Sequence, residues 1–335
     1  MVKILCIIQT PVPSTEISII RPFSYLEQQQ EITWQLVLEE DFHPDMLNQV
    51  NIVIFQRNCH PNCIKILNMV QVAQIPIIYE LDDNYFDLPE ELPIGRYMRN
   101  PYVVKAFHTL LRSADIIKIG SPELVPIISQ YNQRYVYHPY AVDLNIINAL
   151  PRLNNPNFTI GYAATPGHSL DLEVIVPAIF QIAKIFPKIH WDFIGCLPEG
   201  IEKLPNQTYT PFIFDYATFL TELYQRDWQI GLCPIVDRAH NRCKTDNKLR
   251  EYGACNIAGI YSNIPPYSLN VHHEETGLLV ANSEHAWFNA MMKLIRNEAL
   301  RQKISVQTRS WIERERSIPV IAKLWIELFK KVLNQ

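Results

Sequence analysis

The stretch QIGLCPI (229–235) leads into NRCKTDNKLREYG (241–253) and then NIAGIYS (256–262), so that a charged segment lies between two apolar runs. Short β-branched runs predict buried strands, and the segment between them has the length and composition of a helix. Strand, helix and strand in succession form a βαβ unit, in which the two strands lie parallel in one sheet. Only 19% of the chain is charged, yet charged side chains are concentrated at Arg242, Lys244, Asp246, Lys248, Arg250 and Glu251.

The same alternation of strands and helices runs through the whole chain. In the first half the predicted strands are KILCIIQ, ITWQLVL, NIVIFQR, IPIIYEL, IIKIG and RYVYH, and in the second half FTIGYA, IHWDFIG, QIGLCPI, NIAGIYS and GLLV. Segments with helical period lie near 20–30, 61–73, 101–113, 122–131, 169–186, 215–226 and 311–333. Because an interior proline disfavours a helix, Pro177 predicts a kink or a late helix start within 169–186.

This order predicts an α/β protein with two successive Rossmann-like, doubly wound domains. We expect a first domain over 1–150, a second over 151–310, and an amphipathic C-terminal helix over 311–335 that docks on a core. The linker is placed around 142–157, where prolines and asparagines follow without a clear period. In such open sheets ligands bind at the carboxyl ends of the strands, so the charged segment after QIGLCPI is predicted to line a cleft.

Composition excludes several classes of function. With 335 residues, 48% of them hydrophobic, and a net charge of −4, the chain predicts a folded protein without the strongly basic face of a nucleic-acid binder. Seven scattered cysteines favour free thiols in a reducing cytosol, and the sequence shows no signal peptide and no membrane span. No GxGxxG, P-loop or HExxH motif is present, and CHPNC (59–63) lacks a second pair of metal ligands. We therefore expect a cytoplasmic protein with no metal and no cofactor.

The charged segment itself has the residue types that a nucleotide sugar requires. Its helix is predicted to start at Thr245 or Asp246, either of which can cap the first amides. Lys244 then lies at the positive end of the helix, while Lys248 and Glu251 share one face. Such a face offers cations for a diphosphate and a carboxylate for a sugar diol. The alternative is a solvated helix face on which Lys248 and Glu251 form an ordinary surface pair.

The first half has its own candidates at strand ends. Glu80, Asp82 and Asp83 follow the apolar run IPIIY and could bind sugar hydroxyls or orient an acceptor; the alternative is a turn in which Asp82 or Asp83 caps backbone amides. Arg57 ends NIVIFQR and is a second candidate, with a salt bridge to one of those acids as its alternative. The basic stretch 96–118 could contact an anionic membrane or a lipid-linked acceptor, or form a solvated helix face.

Several stretches together resemble the retaining glycosyltransferases of the GT-B fold, in the group-1, family-4-like class. The matching stretches occur in the expected order over nearly the whole chain: YELDDNYFDLP (79–89), ADIIKIGSPEL (114–124), HPYAVDL (138–144), IGYAATPGHSLDLE (160–173), DWQIGLCPI (227–235), NRCKTDNKLREYGA (241–254) and ETGLLV (275–280).

The resemblance implies roles for individual residues. Glu251 matches the second acid of the family's paired-glutamate motif, which holds the ribose hydroxyls, whereas the first acid would fall at Cys243, a departure from the pattern. Lys244 matches a lysine found beside that position in one branch. The family's arginine and lysine for the diphosphate are replaced by TPGHS, so Gly167 with the amides that follow it and His168 are the predicted substitutes, and the base is expected near Gly195.

The resemblance also implies the reaction. The second domain would bind a nucleotide diphosphate sugar and the first would receive a glycan, lipid-linked or protein acceptor, with Lys244, Asp82 and Asp83 near the reacting sugar and Glu80 and Arg57 toward the acceptor. A hexosyl group would move with retention and without a metal, in the biosynthesis of a polysaccharide or glycan. Two alternatives remain open: a nucleotide-sugar epimerase of the same fold, and a non-catalytic sugar-nucleotide-binding protein, which the cysteine at 243 would suit.

Overall fold

The computed structural model describes residues 1–153 and 155–334, which divide into two compact units. The first unit comprises Met1–Ala141, Cys243–Thr245 and the C-terminal segment from Ile318, and the second comprises Val142–Arg242 and Asp246–Ser317. The domain boundaries expected near 150 and 310 stay predictions. The chain thus leaves the second unit for three residues, Cys243–Thr245, and returns to it at Asp246.

The first unit is built on a six-stranded parallel sheet. Its strands are β1 (Val2–Ile8), β2 (Ile32–Leu38), β3 (Ile52–Gln56), β4 (Ile77–Leu81), β5 (Ile116–Ile119) and β6 (Tyr135–Tyr137). They lie in the order β2-β1-β3-β4-β5-β6, and in the register of β1 Cys6 stands opposite Leu36 on one side and Ile54 on the other. Each strand overlaps a run predicted from the sequence. Strands β3, β4 and β5 are buried on both faces and therefore read as continuous apolar runs.

The second unit also has six parallel strands. They are β7 (Thr159–Ala163), β8 (His190–Ile194), β9 (Gln207–Thr210), β10 (Ile230–Cys233), β11 (Ala258–Ser262) and β12 (Leu278–Val280). The sequence did not predict β9, since QTYT is polar and partly exposed and its position at the sheet edge requires no apolar run. The order β12-β11-β10-β7-β8-β9 reverses direction between β7 and β10, and ligands bind at such a switch point.

Helices connect the strands in both units. In chain order they are α1 (Pro13–Thr15), α2 (Arg21–Gln28), α3 (Cys63–Val72), α4 (Pro93–Tyr97), α5 (Pro101–Ser113), α6 (Val125–Ile128), α7 (Asn145–Asn148), α8 (Ser169–Glu173), α9 (Val176–Ile185), α10 (Tyr216–Gln225), α11 (Ala239–Arg242), α12 (Asn247–Ala254), α13 (Tyr267–Asn270), α14 (Glu284–Arg296), α15 (Glu298–Glu315) and α16 (Ile318–Leu333). A π-helix (Glu16–Ile20) precedes α2, and 3-10 turns lie at Glu39–Asp41, Pro44–Leu47, Pro122–Leu124, Pro166–His168 and Ile201–Lys203.

Two helical regions show how proline and packing set helix ends. The segment 169–186 forms two helices, and Pro177 lies in the first turn of α9, so the predicted late start is confirmed. The segment 311–333 is not one helix: α15 ends at Glu315, and α16 begins at Ile318 with Pro319 in its first turn. Helix α16 docks on the first unit as predicted, with the Trp325 ring 5.1 Å from that of Phe23.

Two six-stranded parallel sheets with flanking helices confirm the predicted doubly wound α/β class. Within the described residues, no helix is both long enough and apolar enough to cross a membrane.

Candidate functional site

Asp171 has a buried carboxylate that contacts both loops at the switch point of the second sheet. Its Oδ2 lies 2.6 Å from His168 Nδ1, in the loop after β7. Its Oδ1 accepts hydrogen bonds from the Val236 amide at 2.7 Å and from Asn241 Nδ2 at 3.2 Å, both in the segment after β10. The predicted donor-binding residue His168 is therefore held by an acid that the sequence did not single out.

Asp171 is ionised in this setting. Burial raises the pKa of the carboxyl, but the His168 side chain, the Val236 amide and the Lys248 ammonium together outweigh burial, and the net pKa is lowered. Sequence reasoning missed Asp171 because SLDLE reads as the start of an ordinary helix, and nothing in it shows that this acid points inward. The only local signal is the spacing of three residues from His168.

Helix α12 begins at Asn247 with Asp246 in the N-cap position, within the predicted range. The capping hydrogen bond expected from the Asp246 side chain is absent. Asp246 Oδ1 instead accepts from Arg250 Nε at 3.0 Å, and Oδ2 lies 3.4 Å from Arg316 Nη2. Because Arg250 is fully buried against Asp246, this part of the charged segment stabilises the helix and is not presented to a ligand.

Lys248 and Glu251 both lie on α12, and Lys248 is near the carboxyl end of β7. Lys248 Nζ is 5.8 Å from the centre of the Tyr162 ring in that strand, which places the ammonium at the switch point. Burial raises the pKa of Glu251 to about 6, against the opposing effect of Lys248 and Arg250. A partly desolvated carboxylate beside a lysine is a group that a ligand hydroxyl can satisfy by hydrogen bonding.

Gly195 follows β8 and borders the loop after β7. Its φ is +78°, and a Cβ at this position would lie 2.2 Å from the Ala164 carbonyl oxygen and 3.2 Å from the Phe212 ring. Only glycine fits there, because any larger residue would push the strand ends apart. Gly167 lies exposed in the turn Pro166–His168, where the His168 amide donates to Thr165 O at 3.1 Å. That amide, one of those expected to meet a ligand, is therefore used inside the turn.

The first unit gathers a second group of charges at the carboxyl ends of its strands. Lys244 Nζ lies 3.4 Å from Asp83 Oδ2, and Arg57 Nε lies 3.2 Å from Asp82 Oδ1. The salt bridge that was the alternative for Arg57 is thus present, and Tyr85 also accepts a hydrogen bond from Arg57. Burial raises the pKa of Asp82, opposed by the nearby Arg57. Asp83 Oδ1 accepts from the Asn84 amide at 2.9 Å, so this acid also bonds a local backbone amide.

Glu80 was predicted to face an acceptor, but it lies in the core of the first unit. It is fully buried, its Oε1 is 3.0 Å from Lys118 Nζ, and Tyr140 donates a second hydrogen bond to the same oxygen. Lys118 also lies 3.7 Å from the centre of the Tyr140 ring. Assigning Glu80 to acceptor contact conflicts with this burial, because Glu80 lies within β4, which is buried along its whole length, while Asp82 lies past the strand end.

Cys243 stands where the resemblance places the first acid of the paired motif. Its side chain is buried in the core of the first unit, with Sγ 3.5 Å from the Glu123 carbonyl oxygen. Burial raises the pKa of the thiol to about 12, so it is neutral. The residue therefore acts as a small core side chain and supplies no acid. Among the described residues, no three His, Cys, Asp or Glu side chains are grouped as metal ligands would be.

Comparison with known proteins gives a structural likeness only. No protein-family model matches the chain, and no curated protein sequence matches it. Among solved structures, Anabaena HepE in complex with UDP-glucose is 13% identical with a TM-score of 0.69, over 99% of this chain and 100% of that one. A glycosyltransferase from Rickettsia africae is 12% identical with a TM-score of 0.71, over 99% and 98%. Sucrose-phosphate synthase from Thermosynechococcus elongatus is 12% identical with a TM-score of 0.71, over 99% of each chain.

At these identities the likeness establishes the fold. The chain has the GT-B fold of glycosyltransferases, with two Rossmann-like units and a helical C-terminus, as the sequence resemblance implied.

Proposed function

We propose that this protein is a glycosyltransferase that moves a sugar, with retention, from a nucleotide diphosphate sugar to an acceptor hydroxyl. The fold is shared with glycosyltransferases whose structures contain UDP or UDP-glucose. A hexosyl donor, independence of metal and a role in polysaccharide or glycan assembly are parts of the same proposal. So are a glycan, lipid-linked or protein acceptor, a cytoplasmic location and peripheral membrane contact through the basic stretch 96–118. In that stretch Arg96, Arg99, Lys105 and Arg112 are exposed, whereas Lys118 is buried and takes no part.

The observation that carries the proposal is the group of charges at the switch point of the second sheet. His168 and Lys248 come from the loop after β7 and from α12, and Asp171 interacts with both of them. Glu251 follows Lys248 by three residues on α12, so one short helix presents a cation and a carboxylate. The cations suit the diphosphate of a nucleotide, and the carboxylate suits the hydroxyls of its ribose.

The chemistry of sugar transfer explains why fixed cations are needed. Breaking the anomeric bond develops positive charge on the sugar carbon and negative charge on the departing diphosphate. Groups held in place before the reaction lower the barrier, because the charge develops where they already point. We assign Lys248, His168 and the loop containing Gly167 to the diphosphate, Glu251 to the ribose and the surroundings of Gly195 to the base.

The first unit is assigned the reacting sugar and the acceptor. Lys244, Asp82 and Asp83 are the proposed residues around the transferred sugar, and Arg57 is proposed to keep Asp82 in place through their salt bridge. In a retaining transfer the acceptor hydroxyl attacks from the leaving-group face and gives its proton to the diphosphate. No separate protein base is then required.

Calorimetry with a panel of uridine, guanosine and thymidine diphosphate sugars tests donor binding. We expect one donor class to bind, and Lys248→Ala to weaken binding at least tenfold. The matched control is Lys184→Ala, an exposed lysine on α9, which should bind as the unmodified protein does. A chain that binds none of the donors would contradict the proposal.

Product analysis separates the remaining alternatives. Incubation with donor alone should give no epimerised nucleotide sugar, whereas donor and acceptor together should give a glycoside whose anomeric configuration, read by NMR, equals that of the donor. An epimerised donor would favour the epimerase, an inverted product would contradict retention, and binding without any turnover would favour a non-catalytic protein. Unchanged turnover in EDTA is the expected sign of metal independence.

A further inference from the structure

A buried acid and a histidine lie in contact at the place proposed for the diphosphate. Asp171 Oδ2 is 2.6 Å from His168 Nδ1, while the Asp171 side chain is only 7% exposed and that of His168 is 21% exposed. Because Nδ1 contacts Asp171, Nε2 is the ring nitrogen on the side away from that acid. The arrangement fixes both the orientation of the imidazole and the position of its protons.

We propose that Asp171 is a positioning residue that holds His168 as an imidazolium, so that His168 supplies the diphosphate cation of the loop after β7. This inference rests on the function proposed above. It assigns to His168 the role that an arginine or lysine would have in contacting the diphosphate. The loop contains no arginine or lysine: its sequence from Ala164 to Glu173 is ATPGHSLDLE. An ionised carboxylate in contact with an imidazole favours the protonated ring.

The other oxygen of Asp171 gives the acid its fixed position. Oδ1 accepts from the Val236 amide and from Asn241 Nδ2, which are anchored after β10. The loop after β7 is thus tied to its neighbour across the switch point through one carboxylate. His168 is further connected to β7, because the Tyr162 hydroxyl donates to its carbonyl oxygen at 3.4 Å.

Other ionisable groups lie around Asp171. Lys248 on α12 is the nearby cation and Glu173 at the end of α8 is a second acid. The Cys196 and Cys233 thiols at the ends of β8 and β10 are neutral, since burial raises their pKa to about 11 and about 12, and burial likewise keeps the Tyr162 hydroxyl neutral by raising its pKa. Of these groups, Asp171 is the one shown in contact with the imidazole, and its carboxylate favours the protonated ring.

The consequence is a donor site whose affinity depends on pH. A histidine changes charge between about pH 5 and 8, whereas an arginine or lysine at the same place would not. UDP binding should therefore weaken as the pH rises through this range. If the charge of Asp171 is removed, UDP affinity should begin to fall at a lower pH.

Asp171→Asn tests this with little change of shape, because the amide oxygen can still accept from the Val236 amide. The test uses the full chain and two measurements. Calorimetry with UDP across about pH 5.5 to 8.5 gives the affinity profile, and NMR of labelled histidine, with His168→Gln to identify the signal, gives the protonation of His168 without any ligand. Asp227→Asn is the matched control, since Asp227 is also largely buried and paired, with Arg152 at 2.7 Å, but precedes β10 at its opposite end.

We expect Asp171→Asn to weaken UDP binding at about pH 6.5 by roughly tenfold and to remove the pH dependence above that value, while His168 titrates at lower pH. The KM for the donor should rise in parallel, and Asp227→Asn should leave both measurements unchanged. UDP binding with the same pH profile in Asp171→Asn, or an unaltered His168 titration, would overturn the inference and leave the proposed function intact. If the unmodified chain binds no nucleotide at any pH, both this inference and the proposed function are wrong.

Discussion

Lys118 Nζ lies 3.0 Å from Glu80 Oε1 in the core of the first unit, and neither side chain is more than 1% exposed. A pair removed from water in this way depends on both of its members, because either charge alone would be buried without compensation. Tyr140 and Trp325 lie against the same lysine, so the pair also connects β4 and β5 with the C-terminal helix α16.

Lys118→Met should destabilise the first unit by roughly 3–5 kcal/mol, since it leaves the Glu80 carboxylate buried and unpaired. Urea unfolding followed by tryptophan fluorescence measures this. The control is Glu90→Gln, which removes the exposed pair between Arg99 and Glu90 at 3.6 Å and should cost less than about 1 kcal/mol. Similar losses in the two variants would show that burial of the pair is energetically unimportant.

Glu251→Gln should stabilise the protein above pH 6 and weaken donor binding. The folded-state pKa of Glu251 is raised from 4.5 to about 6, so ionisation of the carboxyl opposes folding above pH 6 and has no effect below pH 4.5. After allowance for partial exposure, the gain at about pH 8 is on the order of 1 kcal/mol. Thermal melts at about pH 8 and pH 4 should show a higher Tm only at the higher pH. An equal shift at both values would contradict the assigned cause.

Gly195→Ala should impair donor binding far more than it alters overall folding of the chain. Its Cβ would lie 2.2 Å from the Ala164 carbonyl oxygen, so the loop after β7 must move. Gly200→Ala is the matched control, because its φ of +90° gives comparable backbone strain while nothing lies within 4 Å of the added carbon. We expect about a tenfold weaker donor affinity by calorimetry for the first variant only. Equal effects would assign the loss to backbone strain.

Lys244→Ala should lower kcat by about 10- to 100-fold with little change in stability. Its pair with Asp83 is partly exposed, at 25% and 20%, so the pair contributes less than about 1 kcal/mol to folding. Steady-state kinetics alongside a thermal melt separates the two effects. Lys65→Ala, an exposed lysine on α3 of the same unit, is expected to change neither. Full turnover in Lys244→Ala would remove Lys244 from the reaction.

The sequence predicted the strands well, because burial on both faces of a parallel sheet demands continuous apolar runs, and local composition reports that demand. It predicted the start of α12 to within its stated range and the late start of α9 at Pro177. It missed β9, whose polar residues lie at a sheet edge, and it extended the last helix back over Trp311, which belongs to α15.

The site was only partly predictable for a related reason. Lys248, Glu251 and His168 were predicted as charged groups after strand ends, since chain order and strand polarity determine which loops lie at the switch point. Glu80 and Asp82 are two residues apart and equally acidic in the sequence, yet one is buried against Lys118 and the other bonds Arg57 past the strand end. For Asp171 the sequence carried no signal beyond its spacing of three residues from His168.

The sequence by itself therefore determined the α/β class, the order of the strands along the chain and the loops that carry charge, because each depends on composition within a few neighbouring residues. Only the tertiary structure decided which charges are paired with one another: Arg250 with Asp246, Glu80 with Lys118, and His168 with Asp171. The physical reason is that a charge removed from water is stable only next to an opposite charge or a hydrogen-bonding group. That partner can be distant in the sequence, or it can lie on a neighbouring helix turn whose orientation is fixed by packing.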